Sequence, residues 1–496
     1  MTIAVDIHPA SNTLCMINEP DSSTTYSLSG HVSVSLSSRD SLFERVRTEK
    51  VLLRSLIIIF EGQTELITNE TGYSAARLCR VTRELAPAQA MLLSNDNHEG
   101  SDSSSVWNFV FDLPIPGWLP SSSIFGTDIH GPTGTSYSLF AEARFTPLEG
   151  PHSRSWSFST LCMPFWSRPR IAKSPRVDIE VVRCTLPTIL EELDSSVSFP
   201  DAMFVVHARC ADKDDAECPE DDIFSNIELR ASIPEYVDMD SGSFMLTLRL
   251  RAGALSAEQQ RKLRLSHFRM QLSQSEVYSR RPSRSYTSAF PLPSSQPDST
   301  PLLNAHPVKA MYDIGLAPVN FPEGEVPRVR TSFSLLPHKQ QGRYALPYGG
   351  VSLLQEAAAA DENVWTRLDM IVPFEGVSIG EDEIWERQNG RVKALRADED
   401  SPFFRVHHEL EVELTFTYEG GENGDDASIR ESMVFSIPVK FARLPPTNPW
   451  DDSTFLPAYS QLFYSNGERR TDYSTPLPMY TAKADPESIV AEEKTT

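Results

Sequence analysis

The stretch FRVHHELEVELTFTY, Phe404–Tyr418, alternates between two sets of residues over its whole length. Successive side chains of a β-strand point to opposite faces, so this two-residue period predicts a long strand with one buried face. The outer set contains glutamates and threonines, which suit a face in contact with water. The inner set contains Phe404, Val406, His408, Leu410, Val412, Leu414, Phe416 and Tyr418.

Similar strands are predicted on both sides of this one. They span 26–36, 51–60, 106–113 and 137–145 in the first half, and 204–210, 243–253, 265–273, 365–372 and 432–441 in the second. Loops rich in Gly, Ser, Asn and Pro separate them, and long runs with a helical period are missing from the sequence. Two short helices are predicted as inserts, at 256–263 and 354–360. The pattern therefore predicts an all-β protein of two tandem immunoglobulin-like β-sandwiches.

The predicted division of the chain follows from these strands and from composition. Residues 1–21 are predicted to be a flexible N-terminus, 22–190 the first sandwich, and 195–445 the second sandwich with inserts. Residues 279–300 are rich in Pro and Ser and are predicted to be a disordered insert. Residues 446–496 lack an amphipathic pattern and are predicted to be a disordered tail.

Composition limits the function classes. The 496 residues carry a net charge of -23, which repels nucleic acid and anionic lipid at long range, so no nucleic-acid partner is expected. The start of the chain does not resemble a signal peptide, and no apolar run is long enough to cross a membrane, so a cytoplasmic protein is predicted. The six cysteines show no CxxC spacing, which favours buried thiols over disulfides or zinc; they are Cys15, Cys79, Cys162, Cys184, Cys210 and Cys218.

The tail contains the phrase Leu-Pro-x-Tyr twice. The predicted binding residues are Leu456, Pro457 and Tyr459 in the first copy and Leu477, Pro478 and Tyr480 in the second. Proline fixes its own φ and disfavours helix in the residue before it, so each copy favours a polyproline II conformation. WW domains bind such segments in an aromatic groove, with a neighbouring pocket for the tyrosine ring. Two copies beyond the last predicted strand indicate a bivalent ligand for WW domains.

The order of these features resembles the arrestin fold, and more narrowly the fungal arrestin-related trafficking adaptors, the alpha-arrestins. The similar phrases are YSLSGHVSV from Tyr26, WNFVFDLPIP from Trp107, YSLFAEA from Tyr137, SPFFRVHHELEV from Ser401 and FSIPV from Phe435. The family's better-known ligase motif is Pro-Pro-x-Tyr, whereas both copies here begin with leucine. The resemblance implies an adaptor that recruits a WW-domain HECT ubiquitin ligase to plasma-membrane transporters or receptors for ubiquitination and endocytosis. It also implies peripheral location at the plasma membrane and endosomes.

Two further sites are candidates for regulation or contact. Ser283 follows Arg280 and Arg281 and fits a target of basophilic kinases, which makes it a candidate phosphorylation site; the alternative interpretation is a solvated linker rich in Ser and Arg. A basic stretch near the end of the first sandwich is a candidate contact for anionic lipid head groups or an acidic cargo tail, although solvated surface charges would give the same pattern. Its residues are Arg168, Arg170, Lys173 and Arg176.

Catalytic and cofactor motifs are scarce in the sequence. The pentapeptide GVSIG at 376–380 matches the letters of GxSxG, but a nucleophile elbow needs a strand-turn-helix context that the all-β pattern does not predict. HExxH, a P-loop and a dinucleotide fingerprint are missing, so an enzyme is not expected and no cofactor or metal is predicted. His407 and His408 are adjacent in a strand and point to opposite faces, so they do not chelate one ion. The alternative functions are an arrestin-fold signalling scaffold in a nutrient or ambient-pH pathway and, more remotely, a β-sandwich hydrolase.

Overall fold

The computed structural model confirms the predicted all-β sandwich fold. Two hydrophobic cores, one in each half of the chain, are each enclosed by a pair of sheets. The structure describes residues 2–37, 50–68, 72–95, 105–128, 131–148, 169–186, 199–206, 209–210, 223–315, 328–337, 343–344, 346, 350–352, 365–375, 394–419, 428–445, 462–463 and 469–470.

Within the described ranges, the first sandwich is built from eleven strands. They are β1 (Thr2–Pro9), β2 (Thr13–Ile17), β3 (Thr25–Ser37), β4 (Lys50–Thr68), β5 (Gly72–Glu84), β6 (Met91–Ser94), β7 (Ser105–Pro116), β8 (Ser123–Asp128), β9 (Gly131–Leu148), β10 (Arg170–Lys173) and β11 (Val177–Cys184). A three-stranded sheet in the order β1-β3-β7 faces an eight-stranded sheet with the path β2-β11-β9-β4-β5, to which β6, β8 and β10 add at the sides. The pairing of β2 with β11 is parallel, whereas β9 and β4 pair antiparallel.

The second sandwich repeats this plan. Its strands are β12 (Asp201–Val206), β13 (Arg209–Cys210), β14 (Glu228–Pro234), β15 (Val237–Asp238), β16 (Ser243–Arg251), β17 (Leu263–Ser279), β18 (Arg328–Ser334), β19 (Arg343–Tyr344), β20 (Val351–Ser352), β21 (Thr366–Pro373), β22 (Glu399–Asp400), β23 (Phe404–Glu419), β24 (Ser428–Val439) and β25 (Phe441–Ala442). A four-stranded sheet, β12-β14-β16-β21, faces an eight-stranded sheet with the path β13-β24-β23-β17-β18. The short strands β15 and β25 form a parallel pair.

The alternating pattern of Phe404–Tyr418 is realised in β23. One face of this strand is buried and includes Leu410, Val412 and Leu414. The glutamates between them point to the other face, where they lie beside residues of the neighbouring strands β17 and β24. His408 belongs to the inner face, as predicted, and is 2% exposed. Burial of one face of each strand drives the two sheets together, because the apolar area leaves water in both sheets at once.

Helices are few and short among the described residues. They are a 3₁₀ turn at Ile223–Asn226 and the helices α1 (Ala257–Lys262), α2 (Arg284–Ala289) and α3 (Val308–Asp313). The predicted helix at 256–263 is confirmed by α1. Ser256 caps it in a capping box, in which its hydroxyl accepts from the Gln259 backbone and the Gln259 side chain accepts from the Ser256 backbone. The predicted helix at 354–360 lies outside the described residues.

The prediction of a flexible segment at 1–21 is wrong. Strands β1 and β2 occupy most of it, and β1 pairs with β3 along its whole length. Val5, Ile7, Leu14 and Met16 are buried in the first core. Apolar residues alternate in both strands, but each run is too short to stand out by period alone.

The prediction that 279–300 is disordered is also wrong. Residues 279–315, called the strap below, follow β17, contain α2 and α3, and lie across the first sandwich. Tyr286 in the strap is 2% exposed, and Phe290 stacks on Trp118 with ring centroids 5.8 Å apart. The strap folds because its polar groups find partners in a domain remote in sequence, which local composition does not reveal.

Other predicted segments are described only in part. The first Leu-Pro-x-Tyr copy and the second both lie outside the described residues. Within 446–496 the structure describes two short antiparallel strands, β26 (Leu462–Phe463) and β27 (Arg469–Arg470), where the sequence predicted a disordered tail. Three cysteines have side chains that the structure describes, and all three are free thiols: Cys79 and Cys184 are buried and Cys15 is half-buried.

Candidate functional site

The two sandwiches meet in a small apolar contact. Phe125 of β8 stacks on Phe404 of β23 with ring centroids 4.6 Å apart, and Tyr278 of β17 lies 5.0 Å from the Phe404 ring. Leu66 and Ala76 of the first sandwich are buried in the same cluster. This cluster is much smaller than either core, so polar contacts must contribute to the union of the two halves.

Polar residues interrupt the apolar run of β4 close to this contact. Gln63 is 4% exposed and Glu65 6% exposed, and the two form a Gln-x-Glu unit in the middle of the sheet. The Gln63 amide donates to Glu65 Oε2 at 3.1 Å and to the Asn304 carbonyl oxygen of the strap. Glu65 Oε1 accepts from the His306 backbone at 2.9 Å and from the Tyr73 hydroxyl at 2.5 Å. Burial raises the pKa of the Glu65 carboxyl, and the bond from Tyr73 partly opposes this.

The second sandwich has the same unit at the corresponding end of β17. The Gln274 amide donates to Glu276 Oε1 at 2.8 Å and to the Ala394 carbonyl oxygen at 3.0 Å. Arg396 forms an ion pair with Glu276 at 3.1 Å, and the Tyr278 hydroxyl donates to the other Glu276 oxygen. In both halves, therefore, a buried Gln-x-Glu unit with a tyrosine holds a chain segment that crosses the end of the sandwich.

A buried ion pair fastens the strap to the edge of the first sandwich. Arg77 of β5 is 0% exposed and lies 3.2 Å from the Glu61 carboxylate, which is 1% exposed. The Arg77 guanidinium also donates to the carbonyl oxygens of Ser295 and, at 2.9 Å, Pro301. The Gln296 side chain accepts from the Arg77 backbone N–H at 3.0 Å and donates to its carbonyl oxygen at 3.1 Å. Gln296 thus satisfies the free edge of β5 as a neighbouring strand would.

A cavity of about 1520 Å³ lies beside the junction and is lined by both sandwiches. Its walls carry charges of both signs. Lys440 of the second sandwich forms an ion pair with Glu19 of the first at 3.0 Å, and the Tyr236 hydroxyl donates to the same carboxylate at 3.0 Å. Nearby, the Thr185 backbone donates to the Arg443 carbonyl oxygen at 2.9 Å. The cavity is large enough for a ligand or a peptide side-chain cluster.

Two ionisable residues of the cavity wall have shifted pKa values. Arg183 donates to the carbonyl oxygens of Gly117 and Leu119, both at 2.8 Å, and burial lowers its pKa. Burial raises the pKa of the Glu399 carboxyl to about 7, and Arg396 partly opposes this. One oxygen of Glu399 is buried without a hydrogen-bond partner. The junction therefore contains a carboxyl group that titrates near neutral pH, between the two sandwiches.

Ser283 lies at the start of α2, beside the second sandwich. Its hydroxyl is 2.6 Å from the Ser285 hydroxyl, and Arg405 of β23 donates to Ser285 at 2.7 Å. The side chains of Arg280 and Arg281 are exposed. Phosphorylation of Ser283 stays a prediction.

The structure does not bring the basic stretch together as one surface. Arg170 and Lys173 are three residues apart on β10, so they point to opposite faces of the strand. Lys173 is paired with Glu142 at 2.8 Å, and Arg176 donates to the Leu303 carbonyl oxygen of the strap. Burial lowers the pKa of Arg176. Arg168 lies outside the described residues, and lipid or cargo contact by this stretch stays a prediction.

Two other kinds of site are absent from the described ranges. No group of three or more His, Cys, Asp and Glu side chains there is arranged to hold a metal ion. Among the helices that the structure describes, none is both long and apolar enough to cross a membrane.

Sequence reasoning missed the junction residues. The two Gln-x-Glu units, Gln63-Thr64-Glu65 and Gln274-Ser275-Glu276, are the signal that was present. Each polar triplet lies just beyond a predicted strand, and the Gln-x-Glu pattern occurs once in each half of the protein. Buried polar residues in a strand require partners, so such a repeat predicts that another chain segment crosses each sheet at this point.

Comparison with known proteins does not identify this chain. No family model and no curated protein matches it. A solved chain described as pT26-6p aligns with 90% of this chain at 7% sequence identity and a TM-score of 0.16. This chain spans 64% of the length of that solved chain. A likeness of this size carries no argument about fold or function.

Proposed function

We propose that this protein is an adaptor that recruits a WW-domain HECT ubiquitin ligase to membrane transporters or receptors, which are then ubiquitinated and internalised. The observation that carries the proposal is the repeated Leu-Pro-x-Tyr phrase at 456–459 and 477–480, beyond the last strand of the second sandwich. The ligase performs the chemistry, and this chain supplies proximity.

The spacing of the two copies supports a bivalent contact. Tyr459 and Tyr480 are 21 residues apart, and a flexible chain of that length spans roughly 25 Å. A single polyproline II contact buries few residues and is weak. Once one copy is bound to a ligase with two WW domains, the second contact is intramolecular, and avidity gains about 10²-fold or more.

The two sandwiches supply the cargo side of this proposal. Their junction combines buried ion pairs with a cavity whose walls come from both halves. Such a junction offers a surface that changes when the halves shift relative to each other. Recognition of cargo by shape and charge requires a surface of this kind rather than a catalytic centre.

A binding measurement tests the ligase contact directly. Full-length protein is titrated with a tandem WW-domain pair, and the variants Tyr459→Ala, Tyr480→Ala and the double variant are compared. Each single variant should bind about 10²-fold more weakly, and the double variant should lose binding. Tyr473→Ala is the matched control, since Tyr473 lies in the same segment but outside both phrases. Unchanged binding by the double variant would show that the assignment is wrong.

A cellular measurement separates the adaptor from a signalling scaffold. In cells that carry the double variant, plasma-membrane levels of the cargo should rise if the chain directs endocytosis. Steady cargo levels combined with a changed transcriptional response would favour the scaffold. Proximity labelling with wild type and double variant identifies ligase and cargo in the same experiment.

A further inference from the structure

One guanidinium, that of Arg405, donates hydrogen bonds to two serine hydroxyls and to a carboxylate. Arg405 donates to Asp400 at 2.8 Å, to the Ser285 hydroxyl at 2.7 Å and to the Ser283 hydroxyl at 3.4 Å. The ion pair is at the surface, with 44% of the Arg405 side chain and 41% of Asp400 exposed. A surface pair of this kind contributes only about 0–1 kcal/mol, so a stronger anion can displace the carboxylate.

The two serines lie where the strap passes from one sandwich to the other. The backbones of Ser279 and Ser283 donate to the carbonyl oxygens of Phe403 and Pro402, both at 2.8 Å, beside the start of β23. A few residues later, Tyr286 is buried and Phe290 stacks on Trp118 of the first sandwich. A new bond at this point therefore joins a segment fixed on the first sandwich to a strand of the second.

The charge around the serines favours an incoming anion. Arg280, Arg281 and Arg284 are exposed, and the strap contains no acidic residue before Asp298. Asp400 is the carboxylate that already occupies Arg405. A phosphate dianion carries more charge than a carboxylate and accepts more hydrogen bonds, so it competes well for the same guanidinium.

We propose that Ser283 is a phosphorylation site and that Arg405 holds the phosphate, releasing Asp400 and tying α2 to β23. The phosphorylated strap then has one more connection between the sandwiches, at the cavity wall to which Asp400 and Arg405 contribute. This inference does not depend on the adaptor function, because it concerns the strap and not the Leu-Pro-x-Tyr copies.

The transfer needs a basophilic protein kinase and ATP. The bond between Ser283 Oγ and the γ-phosphorus forms, the bond from that phosphorus to the bridging oxygen breaks, and ADP leaves. The hydroxyl proton passes to the kinase base and then to solvent. Arg280 and Arg281, at three and two positions before Ser283, supply the positive charge that such kinases recognise.

The test measures site occupancy and hydrogen exchange on the full chain. The purified protein is treated with a basophilic kinase and ATP, the site is located by fragment mass spectrometry, and amide exchange of 284–290 is followed. Phosphate is expected on Ser283, and exchange in α2 should slow about tenfold. Ser283→Ala should take no phosphate at this position and should show no slowing.

Variants of the acceptor distinguish this mechanism from a general effect of phosphate. The Arg405→Gln variant should still be phosphorylated at Ser283, but amide exchange in α2 should no longer slow. The Arg405→Lys variant should keep part of the slowing. Asp400→Asn removes the competing carboxylate, so phosphorylation should slow exchange more than in wild type. Failure of wild type to take phosphate at Ser283 overturns the proposal. Equal slowing in Arg405→Gln and wild type, or no gain in Asp400→Asn, does the same.

Discussion

Replacing Arg77 by methionine should destabilise the first sandwich by about 3–5 kcal/mol, the usual cost of breaking a buried ion pair by removing one partner. Both groups are out of water, with Arg77 0% and Glu61 1% exposed and 3.2 Å between them. Methionine keeps most of the aliphatic stem, so the loss is mainly polar. The variant also loses the bonds from Arg77 to the Ser295 and Pro301 carbonyl oxygens. The Glu61 carboxylate keeps one partner, the Leu303 backbone at 3.2 Å.

Chemical denaturation of wild type and Arg77→Met gives the difference in unfolding free energy, and hydrogen exchange of 295–303 reports whether the strap detaches. The transition of the first sandwich should fall by about 6–20 °C on heating. Arg367→Met is the matched control, because the Arg367–Asp369 pair is at the surface, with 61% and 42% exposed. The control should lose no more than about 1 kcal/mol.

A double variant tests the reason for the loss. Glu61→Gln in the Arg77→Met background removes the unpaired charge and should recover part of the stability. If Arg77→Met loses less than about 1 kcal/mol, or no more than Arg367→Met, the ion pair does not hold the strap. If the double variant is no better than Arg77→Met, the cost does not come from an uncompensated charge.

Two further predictions concern the junction. Phe404→Ala should cost about 3–5 kcal/mol and make the two sandwiches unfold in separate steps in calorimetry, because it removes the ring that stacks on Phe125; a single unchanged transition would contradict this. The Glu399 carboxyl, with a pKa of about 7 against 4.5 in the unfolded chain, favours folding below pH 4.5 and loses that contribution as the pH rises through 7. Glu399→Gln should therefore be more stable than wild type by about 1–3 kcal/mol at pH 8 and show little advantage at pH 5, measured by denaturant titration; an equal difference at both values would refute the assignment.

The strands could be predicted because their signal is local. In β23 the two-residue period alone places His408 on the inner face, where the structure finds it. The same two-residue period in β3 predicts one buried face, and Val32, Val34 and Leu36 are buried on that face. Where a run is short the signal weakens, as in β1, whose apolar residues Ile3, Val5 and Ile7 span only five positions.

The strap could not be predicted from its own composition. Its Pro- and Ser-rich sequence lacks the apolar content that normally offsets the loss of chain entropy. The partners that order it are side chains and edges of the first sandwich, such as Arg77, which is more than 200 residues away in sequence. Only a few strap side chains, including Tyr286, Leu302 and His306, are themselves buried. The order of the strap is therefore a property of the folded first sandwich and not of the strap alone.

Polar groups, more than apolar area, make the junction responsive to charge. Each core contains many apolar residues, and losing one contact there changes stability without changing which surfaces meet. At the junction the apolar cluster is small, while Glu61, Glu65 and Glu276 are all buried and bonded to the crossing segments. A buried carboxylate is tolerated only while its partners stay in place, so displacement of the strap or of 394–398 leaves a charge that the interior does not solvate. One added or removed charge near Asp400 or Glu399 therefore acts on the placement of the two sandwiches, whereas the same change on an outer sheet face acts on little beyond its own neighbours.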